Sequence, residues 1–151
     1  METETPRYSA SDIANYFLFK ANQEGQELLS NLKLQKLVYY AQGLHLVVYG
    51  KPIFSEMIVA WNYGPVVQCL YHAYKDNGAN GIASDVNFNP LIIDEQTREF
   101  LDEIYETFGQ FSAIRLMEIS HTDDCWKNAG IKNEISLESM RTCLRKYLKN
   151  G

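Results

Sequence analysis

Asn31-Leu32-Lys33-Leu34-Gln35-Lys36-Leu37-Val38-Tyr39-Tyr40-Ala41-Gln42-Gly43 begins the stretch that decides the fold, and Trp61-Asn62-Tyr63-Gly64-Pro65-Val66-Val67 closes it. Leu34, Leu37, Val38, Ala41, Leu44 and Val48 recur at three- and four-residue spacing, the period of one helix face. Tyr40, Leu46 and Val47 widen that stripe until little polar face is left, as in a helix at the centre of its domain. Ser30 or Asn31 supplies the N-cap, and Gly50 with Pro52 stops the helix. Met57-Ile58-Val59-Ala60 is too short to type by period and reads as a short strand or a buried turn. Gly64 permits an unusual backbone conformation, and Pro65 fits the first position of a following helix with Val67, Leu70, Tyr71 and Tyr74 inward.

Outward from this stretch, residues 1–8 read as a flexible N-terminal arm and 9–150 as one domain. Ser9 and Asp12 have capping-box spacing ahead of Ile13, Tyr16, Phe17 and Ala21. Residues 79–90, rich in Gly, Asn, Ser and Asp, read as the longest loop. Asp94, Ser112 and Ser136 start three further helices, and His121-Thr122-Asp123-Asp124-Cys125-Trp126 starts a helical turn with Thr122 as its N-cap. The expected architecture is mainly α: a compact single-domain bundle of about six helices, with at most a short β element near residues 56–60.

Composition narrows the function classes. The chain has 151 residues, 46% apolar and 22% charged, close to the averages of folded globular domains. A net charge of −5 and a pI near 5.2 oppose a binder held by phosphate contacts. Lys33 and Lys36, or Arg141 to Lys149, would be the basic patches of such a binder. The chain starts with no cationic leader and holds no apolar run of membrane-spanning length. Three cysteines, Cys69, Cys125 and Cys143, fit reduced thiols, so a cytoplasmic protein is expected.

Candidate chemistry is sparse. His121 and Cys125 are spaced i,i+4, which on a helix would bring imidazole and thiol together as a hydrolase pair. Asp123 and Asp124 between them oppose the thiolate that such a nucleophile needs. With Cys69 and His72 they would make a Cys2His2 metal set, but the spacing matches no finger or ribbon. No phosphate-binding glycine loop is present, and the carboxylates from Asp94 to Glu106 fall on a solvated helix face. No catalytic residue, metal or cofactor is therefore assigned. Ten tyrosines and two tryptophans favour a protein-binding surface instead. Tyr39, Tyr40, Tyr63, Tyr71 and Tyr74, with Lys36, are the candidate contacts. Leu34, Leu37, Trp61, Gly64, Pro65 and Trp126 are the structural motif.

The segments LKLQKLVYYAQG (32–43), GKPIF (50–54) and AWNYGPVV (60–67), followed by Leu70-Tyr71 and the later HTDDCW turn (121–126), resemble the Panacea domain of SocA-like antitoxins, also called GepA-like phage-associated proteins. The last turn departs from that family's "THxExxW" pattern, with Asp124 for Glu and Cys125 for a small residue or proline. The resemblance covers residues 8 to 130 and implies a non-enzymatic protein-binding domain that neutralises a toxin encoded nearby. In one branch such a protein delivers its toxin to a AAA+ protease. Many relatives carry extra DNA-binding segments, for which this chain has no room. The alternatives from the residues alone are a metal- or cysteine-dependent hydrolase using His121 and Cys125, or a nucleic-acid-binding regulator.

Overall fold

A computed structural model describes residues 5–23, 25 and 28–148. Its centre is helix α2, Asn31–Tyr49, whose residues from Leu34 to Leu46 are all buried. Ser30 caps it by accepting from the Lys33 amide, and Gly50 closes it at φ 74° with its amide on the Leu46 carbonyl. A helix buried on every side must be wrapped. α1 (Ala10–Gln23), α3 (Gln68–Tyr74), α4 (Glu95–Phe108), α5 (Ala113–His121) and α7 (Leu137–Cys143) all pack on it, and α6 (Asp124–Ala129) bridges α5 and α7. Single turns of 3-10 helix at 75–77 and 90–92 and a longer one at 144–148 complete the layer.

The mainly α, single-domain expectation holds, with seven α-helices among the described residues. The predicted caps also hold: Ser9 and Asp12 exchange amide bonds, and Asp94, Ser112 and Ser136 each cap their helix. Two local expectations are corrected. Pro65 does not start a helix; β1 (Ile58–Trp61) and β2 (Gly64–Val66) form a hairpin, and α3 begins only at Gln68. Proline suits this place because β2 is an edge strand, where no ladder partner needs its missing N–H. β3 (Glu134–Ile135) pairs on the other side of β1, so the sheet is a three-stranded antiparallel ladder in the order β2-β1-β3, larger than the predicted element. Thr122 is not an N-cap either: it ends α5, and Asp123 precedes α6 with its carboxylate turned inward rather than onto the helix.

Residues 1–4 of the predicted arm and 149–150 at the end of the predicted domain lie outside the described residues. Within the arm, Tyr8 donates to Asp94 and accepts from its amide, so this part is fastened to the start of α4. Burial lifts the Tyr8 phenol above its ordinary range, and hydrogen bonds from Thr97 and Tyr8 hold Asp94 down to about 2.

Candidate functional site

Gln35, Lys36 and Gln42, on the buried part of α2, each bond to backbone of the 50–54 or 60–67 segment. Gln42 accepts from the Ile53 amide at 2.8 Å and donates to the Phe54 carbonyl at 2.8 Å. Gln35 accepts from the Val67 amide at 2.9 Å and donates to Asn31, which itself donates to the Tyr71 carbonyl. Lys36, fully buried, donates to the Pro65 carbonyl at 3.2 Å. Burial pushes its ammonium down to about 7. The motif segments 32–43, 50–54 and 60–67 are thus joined by hydrogen bonds from one helix to a loop and to the second strand of the hairpin with its exit. Each bond satisfies a backbone group that would otherwise be buried unpaired.

The 121–126 turn joins the same system through Asp123. Its carboxylate is fully buried and accepts from Tyr39 (2.9 Å), Tyr40 (3.0 Å) and Tyr147 (2.7 Å), with the Lys146 ammonium 2.8 Å away. Tyr40 also stacks on Phe108 with centroids 4.2 Å apart. Burial, followed by the Asp123 charge, raises the Tyr39 and Tyr40 phenols far above the ordinary range, so both are fixed donors. The expectation that Tyr39, Tyr40 and Lys36 form a contact surface fails at this point: all three are 0% exposed. They are long side chains on a helix with no solvent face, and they occupy the polar interior.

The hairpin tip has the opposite character. Asn62 and Tyr63 form its two-residue turn, followed by Gly64 at φ 106°, a left-handed conformation that costs glycine nothing. A Cβ on Gly64 would also lie 2.6 Å from Ser120 Oγ and 2.7 Å from Lys36 Cε, so glycine is required twice over. His121 Nε2 contacts the Asn62 carbonyl at 2.9 Å, and Trp126 Nε1 donates to the Trp61 carbonyl at 2.9 Å. The two rings stack on each other at 4.3 Å, and Trp61 meets Tyr71 edge-on at 4.8 Å. This clamp leaves Tyr63 64% exposed, beside the exposed Ile131. Trp61, Asn62, Tyr63, Gln68, Ile131 and Lys132 line a shallow depression of about 430 Å³ there. Tyr71 and Tyr74, on α3, are half-buried.

A second apolar surface lies between α2 and α4. Val48, Tyr49, Phe100, Ile104, Phe111 and Leu148 are among the residues lining a groove of about 570 Å³, edged by Glu99 and Glu103.

The structure does not assemble the residues weighed for catalysis or metal binding. His121 ends α5 and Cys125 belongs to α6, so the i,i+4 pair does not share a helix face. The His121 Nε2 atom faces the Asn62 carbonyl, and Cys125 is buried against Tyr39 and Cys143. Cys69 and His72 are exposed on α3. Among the described residues no three His, Cys, Asp or Glu side chains are grouped to hold a metal ion. Sequence reasoning weighed Asp123 only as a charge opposing a Cys125 thiolate, although it lies in the 121–126 motif, and did not single out Tyr147 or Ile131; the roles of all three depend on contacts with distant segments.

The signature residues tie neighbouring segments to one helix and hold an aromatic turn at the surface. A family model described as "Antitoxin SocA-like, Panacea domain" matches residues 34–127. Antitoxin SocA of Caulobacter vibrioides (strain NA1000 / CB15N) is 33% identical over 130 residues, spanning 79% of this chain and 69% of that protein. The chain therefore belongs to the SocA-like antitoxin, Panacea-domain family. No solved structure matches it. Among the described residues no helix is long and apolar enough to cross a membrane.

Proposed function

We propose that this chain is a non-catalytic cytoplasmic antitoxin that neutralises a cognate protein toxin encoded nearby, by covering the toxin's active surface with the hairpin-tip platform. The observation that carries the reading is the exposed Tyr63 on a turn clamped by His121 and Trp126, in a member of an antitoxin family. A turn whose backbone is held in place before binding loses little conformational entropy on binding, and an exposed aromatic beside an apolar neighbour suits an interface hot spot. Tyr71 and Tyr74 extend the contact along α3. Tyr39, Tyr40 and Lys36 act behind this surface by holding the elements that present it. Delivery of the bound toxin to a AAA+ protease is compatible with the same surface, because a second face remains open at the α2–α4 groove.

Co-expression with the product of the small reading frame beside its own, followed by pull-down and growth rescue, tests the reading. Stable capture with rescue supports it, and a neighbour that is neither captured nor neutralised sinks it. In the captured complex, Tyr63→Ala is expected to weaken binding while Val48→Asp in the groove leaves it intact. The reverse result would move the toxin to the groove. Faster loss of the toxin in cells holding both proteins, abolished when the protease gene is deleted, checks the adaptor role.

A further inference from the structure

Cys125 and Cys143, eighteen positions apart, meet between the start of α6 and the end of α7. The Cys125 amide donates to Cys143 Sγ at 3.3 Å, and Cys125 Sγ lies 3.2 Å from the Tyr39 hydroxyl. Cys125 is 2% exposed and Cys143 half-buried, yet both line an open cleft of about 660 Å³ together with Lys146, Asn128 and Ser139. The two thiols have unequal surroundings. Cys143 is drawn below the ordinary thiol range by hydrogen bonding from the Cys125 thiol, with its amide and the Lys146 ammonium assisting against burial and Asp123. Cys125 is pushed up by the same hydrogen bond and by burial. A thiol that ionises more easily, open to a cleft and beside a protonated second thiol, is the arrangement of an attacking and a resolving cysteine.

We propose that Cys143 and Cys125 form a peroxide-reactive pair, with Cys143 attacking and Cys125 resolving to an intramolecular disulfide. The Cys143 thiolate attacks one peroxide oxygen; the S–O bond forms, the O–O bond breaks, and hydroxide leaves. The Cys125 sulfur then attacks the Cys143 sulfenic acid; the S–S bond forms and the S–O bond breaks. The second hydroxide leaves, and the two thiol protons end in water. In sum, two thiols and one hydrogen peroxide give a disulfide and two waters, with two electrons passing from sulfur to oxygen. The disulfide ties α6 to the end of α7 and removes the thiol from the Tyr39 hydroxyl, next to Asp123. Nothing in this step depends on toxin binding.

The test treats the purified full-length chain with one equivalent of hydrogen peroxide, blocks remaining thiols with N-ethylmaleimide, and maps peptides without reduction. The expected result is a linked Cys125–Cys143 peptide, an intact mass lower by two hydrogens before blocking, and one remaining reactive thiol, Cys69. Cys125→Ser should leave a Cys143 sulfenic acid that dimedone traps. Cys143→Ser should slow peroxide consumption about tenfold, and Cys69→Ser should change neither. Circular dichroism confirms that each variant is folded. Oxidation of Cys69 ahead of the pair, cross-links between molecules only, or a folded wild-type chain with no Cys125–Cys143 peptide would overturn the proposal.

Discussion

Two tyrosine sites in this molecule make opposite use of the same side chain. Around Asp123, the Tyr39, Tyr40 and Tyr147 hydroxyls converge on one buried carboxylate, and their rings fill the space between α2, α4 and the C-terminal turn. At the hairpin tip, Tyr63 stands out into solvent from a turn whose backbone is held from behind. The first site spends its hydrogen bonds on stability and leaves nothing for a partner. The second leaves its hydroxyl and most of its ring free and takes its rigidity from neighbours. Tyrosine content alone does not mark an exposed surface, because the same residue type fills the interior around Asp123 and stands outside at Tyr63.

The comparison breaks most readily at Asp123. Asp123→Ala removes the common acceptor of three hydroxyls and the partner of Lys146, and should cost about 4 kcal/mol in urea unfolding. A loss below about 1 kcal/mol would show that the tyrosines do not depend on the carboxylate. Next is Gly64→Ala, which places a Cβ against Ser120 and Lys36 in a left-handed conformation. It should cost about 3 kcal/mol and weaken partner binding with it, which unfolding and pull-down together would show. Tyr63→Ala should leave stability within about 0.5 kcal/mol of the parent while reducing toxin affinity by about 2 kcal/mol, read by calorimetry on the captured complex. Equal effects on stability and binding would erase the distinction between the two sites.

The smallest effect concerns Lys36. Its folded pKa near 7 lies below that of the unfolded lysine, so between pH 7 and 8.5 the unfolded chain binds more protons and stability rises with pH. The expected gain is about 1.5 kcal/mol over that window, fading below pH 7 as both states come to hold the proton. Lys36→Met should flatten the profile and be no less stable at pH 7, since it removes a buried ammonium that has only the Pro65 carbonyl as its described hydrogen-bond partner. Parallel profiles for parent and variant would mean that the amine is solvated.

Much of the fold was legible because it rests on local rules. The stripe from Leu34 to Val48, the serine and aspartate caps, and Gly50 as a stop are set by spacing and backbone chemistry within a few residues. Which tyrosines are buried and which exposed was harder to read. Tyr39, Tyr40 and Tyr63 share a type and a stretch of chain, and nothing local separates them. The difference is that α2 is enclosed by five other helices whereas the hairpin tip is supported from one side only. Pro65 misled for a related reason, since helix start and edge strand both tolerate its missing N–H.

The stretch from Asn31 to Val67 determined by itself that a long apolar helix would be central, that a glycine-dependent turn would follow, and that the chain resembles one family. These properties depend on hydrophobic period, capping and motif order. Only the tertiary structure decided which polar residues of that helix would hold the loops, that Asp123 would collect three tyrosines from across the chain, and that Tyr63 would remain outside. Those outcomes depend on long-range packing, because the hydrogen-bonding needs of a buried helix and of irregular loops are met only when the distant segments come together.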